Sequence, residues 1–87
     1  MIKIDHYMVE FENDVGNVTF ANATHITDLT AAKSLASKTS RKQDGGAYVV
    51  AYTADLGGDG FATGQYTAVG HISFFDGKQS ETDGVVI

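Results

Sequence analysis

Residues 27–38 read Thr27-Asp28-Leu29-Thr30-Ala31-Ala32-Lys33-Ser34-Leu35-Ala36-Ser37-Lys38, and this stretch predicts the one helix in an otherwise strand-like sequence. Leucine and alanine recur along one side at the spacing of an α-helix, while lysine and serine occupy the other side. The Thr27 side chain is expected to cap the first turn, with Asp28 near the positive end of the helix dipole. The helix is expected to end between Ser40 and Asp44, with Gly45 following its last turn. Serine and threonine interrupt the stretch, so the helix must be stabilised mainly by packing against a sheet.

The chain before the helix predicts a β-hairpin. Apolar and polar side chains alternate over residues 2–11, which is typical of a half-buried strand. A polar turn follows, and residues 18–20 then continue as a second strand. The hairpin is therefore expected within residues 2–22.

The chain after the helix predicts three more strands. Residues 47–54 are apolar on both sides, which is typical of a central strand. Residues 66–75 form the next strand, and Asp76-Gly77 is a strong turn signal leading into a last strand over residues 80–87. Gly70 is expected to leave a gap in the sheet into which the alanine-rich helix can settle.

Together these elements predict one α+β domain over residues 1–87, in the order β-β-α-β-β-β. Its antiparallel sheet has four to five strands, with one helix packed on one face. If the other face is uncovered, Tyr48 or Tyr52 is exposed on it and becomes a rival binding surface.

Composition excludes several classes of protein. There is no cysteine, which rules out disulfides and sulfur-ligated zinc and is typical of a cytoplasmic setting. No stretch approaches the ~20 apolar residues of a membrane span, so no membrane partner is expected. The net charge of −5 argues against direct contact with nucleic acid, which normally needs a basic surface.

The residues offer no chemistry of their own. His6, His25 and His71 lack the close spacing of a metal site, so no metal and no cofactor are expected. No serine stands in a Gly-x-Ser-x-Gly elbow, and the glycine-rich segment 55–64 lacks the Gly-Lys-Ser/Thr of a phosphate loop. The chain is therefore not expected to be an enzyme.

Two segments are candidate protein-binding surfaces. Acidic residues are grouped on the first hairpin, and apolar and acidic residues stand together in the glycine-rich segment. The candidates are Glu10, Glu12, Asp14, Leu56, Asp59 and Phe61. The acids either imitate phosphates toward a basic partner or simply keep a small domain soluble. Phe61 either anchors a partner from a loop tip or folds back onto the core.

The helix and the start of the next strand, Leu29-Thr30-Ala31-Ala32-Lys33-Ser34-Leu35-Ala36-Ser37-Lys38 followed by Ala47-Tyr48-Val49-Val50, resemble a pattern in small phage-encoded anti-CRISPR proteins. The resemblance covers about residues 27–52. It implies a small, acidic, non-enzymatic protein that binds a host defence complex. Such proteins block nucleic-acid access or nuclease recruitment, and they share no site motif that assigns a binding residue here.

The expected function is therefore that of a phage or mobile-element inhibitor acting in the host bacterial cytoplasm. Its partner is a host protein or ribonucleoprotein complex that handles nucleic acid, with a CRISPR effector as the leading candidate. The alternative is a structural or assembly protein of a virion or homo-oligomer. In that alternative the apolar end Val85-Val86-Ile87 pairs as an edge strand with a second copy, as in a homodimer.

Overall fold

A computed structural model describes residues 3–13, 15–43 and 45–80. The elements are β1 (His6–Glu12), β2 (Val18–Phe20), α1 (Leu29–Lys42), β3 (Ala47–Leu56), β4 (Ala62–Phe75) and β5 (Lys78–Gln79). The strands form one antiparallel sheet in the spatial order β2-β1-β3-β4-β5, and α1 packs on one face of it. The predicted α+β class, element order and central position of β3 are confirmed.

The N-cap of the helix is one residue later than predicted. Asp28, not Thr27, is the N-cap: its backbone is extended, and its Oδ2 accepts a hydrogen bond from the Ala31 N–H at 3.1 Å. A carboxylate here both satisfies a free N–H and complements the helix dipole. Among the described residues no helix is long and apolar enough to cross a membrane.

The helix ends at Lys42, within the predicted range of Ser40 to Asp44, but Gly45 does not follow the C-cap directly as predicted. The C-cap is Gln43 with an extended backbone, and Gly46 rather than Gly45 has a positive φ, of 80°. A β-carbon on Gly46 would run into the carbonyl oxygen of Phe74 on β4. Glycine is therefore required where the chain passes from α1 into β3.

The core lies between α1 and the sheet. Its buried side chains come from the helix and from the three central strands: Val9, Ala32, Ala36, Ala47, Val49, Ile72 and Phe74. The alanines on α1 and β3 let the helix approach the sheet closely, and the larger side chains of β1, β3 and β4 fill the space beside them. Tyr7, Phe11, Ile26, Leu29 and Leu35 close the rim.

The turn between β4 and β5 is fastened to the helix. Asp76 and Gly77 have φ of 52° and 80°, the two positive values of a type I′ hairpin turn, as the sequence predicts. The Ser40 hydroxyl accepts a hydrogen bond from the Gly77 N–H at 2.8 Å, and the Ser37 hydroxyl donates one to the Gly77 carbonyl at 2.7 Å. Two serines of α1 thus fix both backbone polar groups of one turn residue.

The strands differ from the predicted bounds in three places. β1 begins at His6 instead of residue 2, β4 begins at Ala62 instead of residue 66, and β5 covers only Lys78–Gln79. The predicted last strand began at Ser80, which already follows β5. The rest of it, residues 81–87 with Val85-Val86-Ile87, lies outside the described residues.

A β-bulge in β4 changes the face of the sheet on which Ala68 lies. Ala51 pairs with Gly70 but Tyr52 pairs with Ala68, so Val69 is an extra residue in β4. Each bulge reverses the alternation of side chains beyond it. Ala68 consequently lies on the face away from the helix, where it lines a groove. Gly70 pairs with the buried Ala51 and keeps the alternation of the core residues Ile72 and Phe74, while it also contributes to the lining of the groove.

The β3–β4 hairpin extends beyond the rest of the sheet. β1 pairs with β3 only from Ala47 to Tyr52, while β3 and β4 stay paired out to Leu56 and Ala62. We call residues 53–67 the arm. It contributes to the elongated shape of the described residues, which measure 44 × 26 × 20 Å.

Candidate binding surface

The sheet face opposite α1 carries a groove that is open to solvent. Cross-strand register places Glu10 beside Tyr48 and Met8 beside Val50 on this face, with His71 next to Val50 on the far side. The groove has a volume of about 520 Å³. It is lined by Glu10, Phe11, Glu12, Val18, Tyr48, Val50, Ala68, Gly70 and His71. Most of this lining is apolar, and both carboxylates belong to β1.

The two glutamates differ in their surroundings. Glu10 is half-buried, and its Oε2 accepts a hydrogen bond from the Tyr52 hydroxyl at 3.3 Å. Glu12 is exposed at the end of β1. Burial, then the negative charge of Glu10, then their hydrogen bond raise the pKa of Tyr52, so its phenol stays protonated and continues to donate to Glu10.

Tyr48 supplies an aromatic surface beside these carboxylates. Its side chain is 40% exposed, and its ring meets the His71 ring edge-to-face at 5.9 Å between centroids. The sequence predicted a rival binding surface if this face stayed uncovered, and the exposure of Tyr48 fulfils that condition. Tyr52 is half-buried and is not among the residues that line the groove.

The hairpin candidates therefore belong to the groove. Glu10 and Glu12 both line it, because residues two apart on a strand share one face. Asp14, the third predicted contact, lies outside the described residues. The Asn13 Oδ1 accepts hydrogen bonds from the Val15 and Asn17 N–H groups.

The other predicted contacts form a second surface at the tip of the arm. Phe61 is 74% exposed and Leu56 is 65% exposed, so of the two alternatives for Phe61 the structure has the exposed one. Asp59 has a turn role: its Oδ1 accepts a hydrogen bond from the Phe61 N–H at 3.0 Å. None of these three residues lines the groove, so the predicted contacts divide between two surfaces.

Sequence reasoning missed an aromatic cluster at the base of the arm. The His6 and His25 rings stack at 3.6 Å with only 4° between their planes, and Tyr52 and Tyr66 pack against His6. Asp5 Oδ1 lies 2.8 Å from His6 Nδ1. The signal available in the sequence was weak, because the bridge between Tyr7 and Ile26 that brings the histidines together joins distant segments.

This cluster also gathers three groups that can bind metal. One ligand atom each from Asp5, His6 and His25 lies within 4.8 Å of the others. Imidazole nitrogens bind a metal in the plane of the ring, and the planes of two stacked rings do not converge on one point. Binding an ion here would require one ring to turn, so the geometry is that of a stacked pair. His6 and His71 lie on the same face of the sheet, but β3 lies between their strands.

Comparison of the chain with protein-family models, with curated proteins and with solved structures found no match. The groove and the arm are therefore the features of the molecule that bear on its function.

Proposed function

We propose that this protein acts by binding another protein and carries out no chemistry of its own. In this proposal it is a phage or mobile-element inhibitor in the cytoplasm of a bacterial host. It covers a positively charged surface of a nucleic-acid-handling defence complex, with a CRISPR effector as the leading candidate. Binding there blocks access of the nucleic acid or recruitment of a nuclease. The supporting observation is the open groove with Glu10, Glu12 and the exposed Tyr48 in its lining.

The composition of the groove suits lysine and arginine side chains. Both have apolar stems that cover apolar surface and a charged head that needs a carboxylate or an aromatic face. Val50 and Ala68 offer the apolar floor, Tyr48 the aromatic face, and Glu10 and Glu12 the charge. Proteins that hold nucleic acid present such side chains along the path of the phosphates.

The net charge supports the same class of partner. A chain with a net charge of −5 is attracted toward a basic surface from a distance. This attraction raises the association rate and makes the rate sensitive to salt. The described cations of the helix end, Arg41 and Lys42, stand in the last turn of α1, where they complement the helix dipole. They lie on the element that covers the other face of the sheet.

The arm offers a second contact region. Phe61 and Leu56 are large apolar side chains exposed at its tip, and such side chains supply much of the binding energy when a partner buries them. An acidic groove for orientation and an apolar tip for affinity together cover an extended surface on one partner.

The test is capture of a defined complex with matched variants. The tagged protein is incubated with purified CRISPR effectors, loaded with guide RNA, and binding of target DNA is measured at low and high salt. The double variant Glu10→Gln with Glu12→Gln removes two negative charges from the groove. Thr30→Lys with Ser34→Lys changes the net charge equally on exposed positions of α1. We expect only the groove variant to lose at least tenfold in affinity, about 1.4 kcal/mol.

Two results would contradict the proposal. One is that no effector binds at any salt concentration. The other is that both double variants lose the same affinity, since a response to net charge alone would not place the contact in the groove.

The second candidate is a structural role in a homo-oligomer. It is favoured by the outer edge of β4, which carries no charged side chain.

A further inference from the structure

Strand β4 has a long outer edge without a partner among the described residues. Its inner edge pairs with β3 along most of its length, whereas its outer edge pairs with β5 only at Phe74 and Phe75. One more hydrogen bond joins the Ser80 N–H to the Ser73 carbonyl at 2.8 Å. Over residues 62–72 no described strand meets the outer edge. At roughly 3.3 Å per residue, this edge is about 35 Å long.

The features that usually protect such an edge are mostly absent from β4. Proteins guard exposed strands with lysine or other charges, with proline, or with a bulge that twists the edge away. From Ala62 to Phe75 the chain contains no lysine, arginine, aspartate, glutamate or proline. Two irregularities interrupt its pairing with β3, one at Val69 and one between Ala62 and Tyr66, where Gly64 has a positive φ of 83°. Most of the edge is also exposed, and its first seven residues are exposed throughout.

We infer that the outer edge of β4 pairs with the same edge of a second copy of this chain, antiparallel and about a two-fold axis. An antiparallel pair of identical strands is self-complementary, because each residue meets an equivalent environment on the partner. No side chain of β4 itself is charged, and the Asp55 carboxylate of β3 accepts a hydrogen bond from the Thr67 hydroxyl at 2.6 Å. Thr67 is the midpoint of the free edge and lies on the axis when the overlap is complete.

The second copy also completes the groove. Ala68, Gly70 and His71 form its wall on β4, which is the last long strand on that side of the sheet. Pairing joins the two sheets into one, and the partner's β4 then borders this wall. The two grooves come to lie on one continuous sheet face on either side of the axis. This inference is independent of the proposed partner, because it concerns another edge of the molecule and is measured on the protein alone.

The first measurement is the mass of the full chain in solution, by sedimentation over a wide range of concentration. The monomer has a mass of 9.2 kDa, and we expect twice that mass as concentration rises. Ala68→Lys places a charge on the edge, and its matched control Ser34→Lys places the same charge on an exposed position of α1. We expect the edge variant to weaken the dimer about tenfold or more and the control to leave it unchanged.

A cysteine cross-link locates the seam. The chain has no cysteine, so a single one introduced by Thr67→Cys reports only on contact between copies. Opposed residues of an antiparallel pair lie within the Cα separation that a disulfide needs. We expect rapid disulfide formation with Thr67→Cys and slow, collision-limited formation with the control Thr30→Cys.

Three results would overturn the inference. The first is a monomer at every concentration. The second is a dimer that Ala68→Lys and Ser34→Lys affect equally, which would place the contact elsewhere. The third is a dimer that forms only after residues 81–87 are removed, since the end of the chain would then be the natural occupant of this edge.

Discussion

Replacing Ser40 by alanine tests how the helix holds the sheet edge. Ser40 is only 3% exposed, although serine is a polar residue. Its hydroxyl donates to the Ser37 carbonyl at 2.8 Å and accepts from the Gly77 N–H at 2.8 Å. In Ser40→Ala the Gly77 N–H loses its acceptor in a half-buried position, where an unsatisfied donor costs about 1–3 kcal/mol.

We therefore expect Ser40→Ala to lower the free energy of unfolding by about 2 kcal/mol. For a domain of this size that corresponds to a fall in melting temperature of about 8–16 °C. Urea unfolding followed by circular dichroism gives the value directly. The control is Ser34→Ala, an exposed serine of the same helix, which should change stability by less than about 0.5 kcal/mol.

Ser37→Ala completes the test as a double-mutant cycle. The Ser37 hydroxyl donates to the Gly77 carbonyl at 2.7 Å, so both serines act on one turn residue. Their effects should be non-additive, because the first substitution already loosens the turn that the second one holds. If Ser40→Ala is as stable as Ser34→Ala, or if the two effects add without coupling, the turn is not fastened to α1 in the way described.

Two further predictions concern the groove and the arm. The pKa of Tyr52 is raised in the folded chain, so folding favours the protonated phenol. The stability that this provides is complete below the unfolded pKa of about 10 and is lost as pH rises through the folded pKa. A spectroscopic titration of the phenols should show one tyrosine that ionises at a higher pH than the others. Glu10→Gln should lower that pH by removing a negative charge, and an unchanged titration would contradict the contact between Tyr52 and Glu10. Replacing both Phe61 and Leu56 by serine should change the melting temperature by no more than a few degrees, because both side chains are exposed, while weakening binding to the proposed partner at least tenfold. Unfolding of this variant, or unaltered binding, would contradict the proposed role of the arm tip in binding the partner.

Much of the fold can be predicted from local sequence patterns. The helix follows from its apolar spacing, and the last hairpin follows from Asp76-Gly77, because only a few residue pairs tolerate two positive φ angles. The predicted range for the last residue of the helix was right, whereas the predicted N-cap and the predicted left-handed glycine were each one residue early. These two errors arose because Thr27 and Asp28 are both good caps, and Gly45 and Gly46 are both glycine, so that only the path of the chain distinguishes them.

The candidate site was only half predictable. The alternation of β1 places Glu10 and Glu12 on one face, and a glycine-rich connection predicts an accessible loop tip. The bulge at Val69 was not predictable, because it leaves no local pattern and depends on how β4 pairs with β3. It moves Ala68 to the groove face, whereas an unbroken alternation assigns Ala68 to the helix side.

The types of the elements and their order follow from patterns among residues near one another in the chain, and the acidic character follows from composition. The face of the sheet that α1 covers is fixed by tertiary packing, because β3 is apolar on both sides and local patterning does not distinguish the two faces. That choice depends on where small side chains from α1, β1 and β3 meet, as Ala32, Ala36 and Ala47 do beneath Val9 and Val49. The opposite face, with Tyr48 and the two glutamates, is left open as a consequence of that packing.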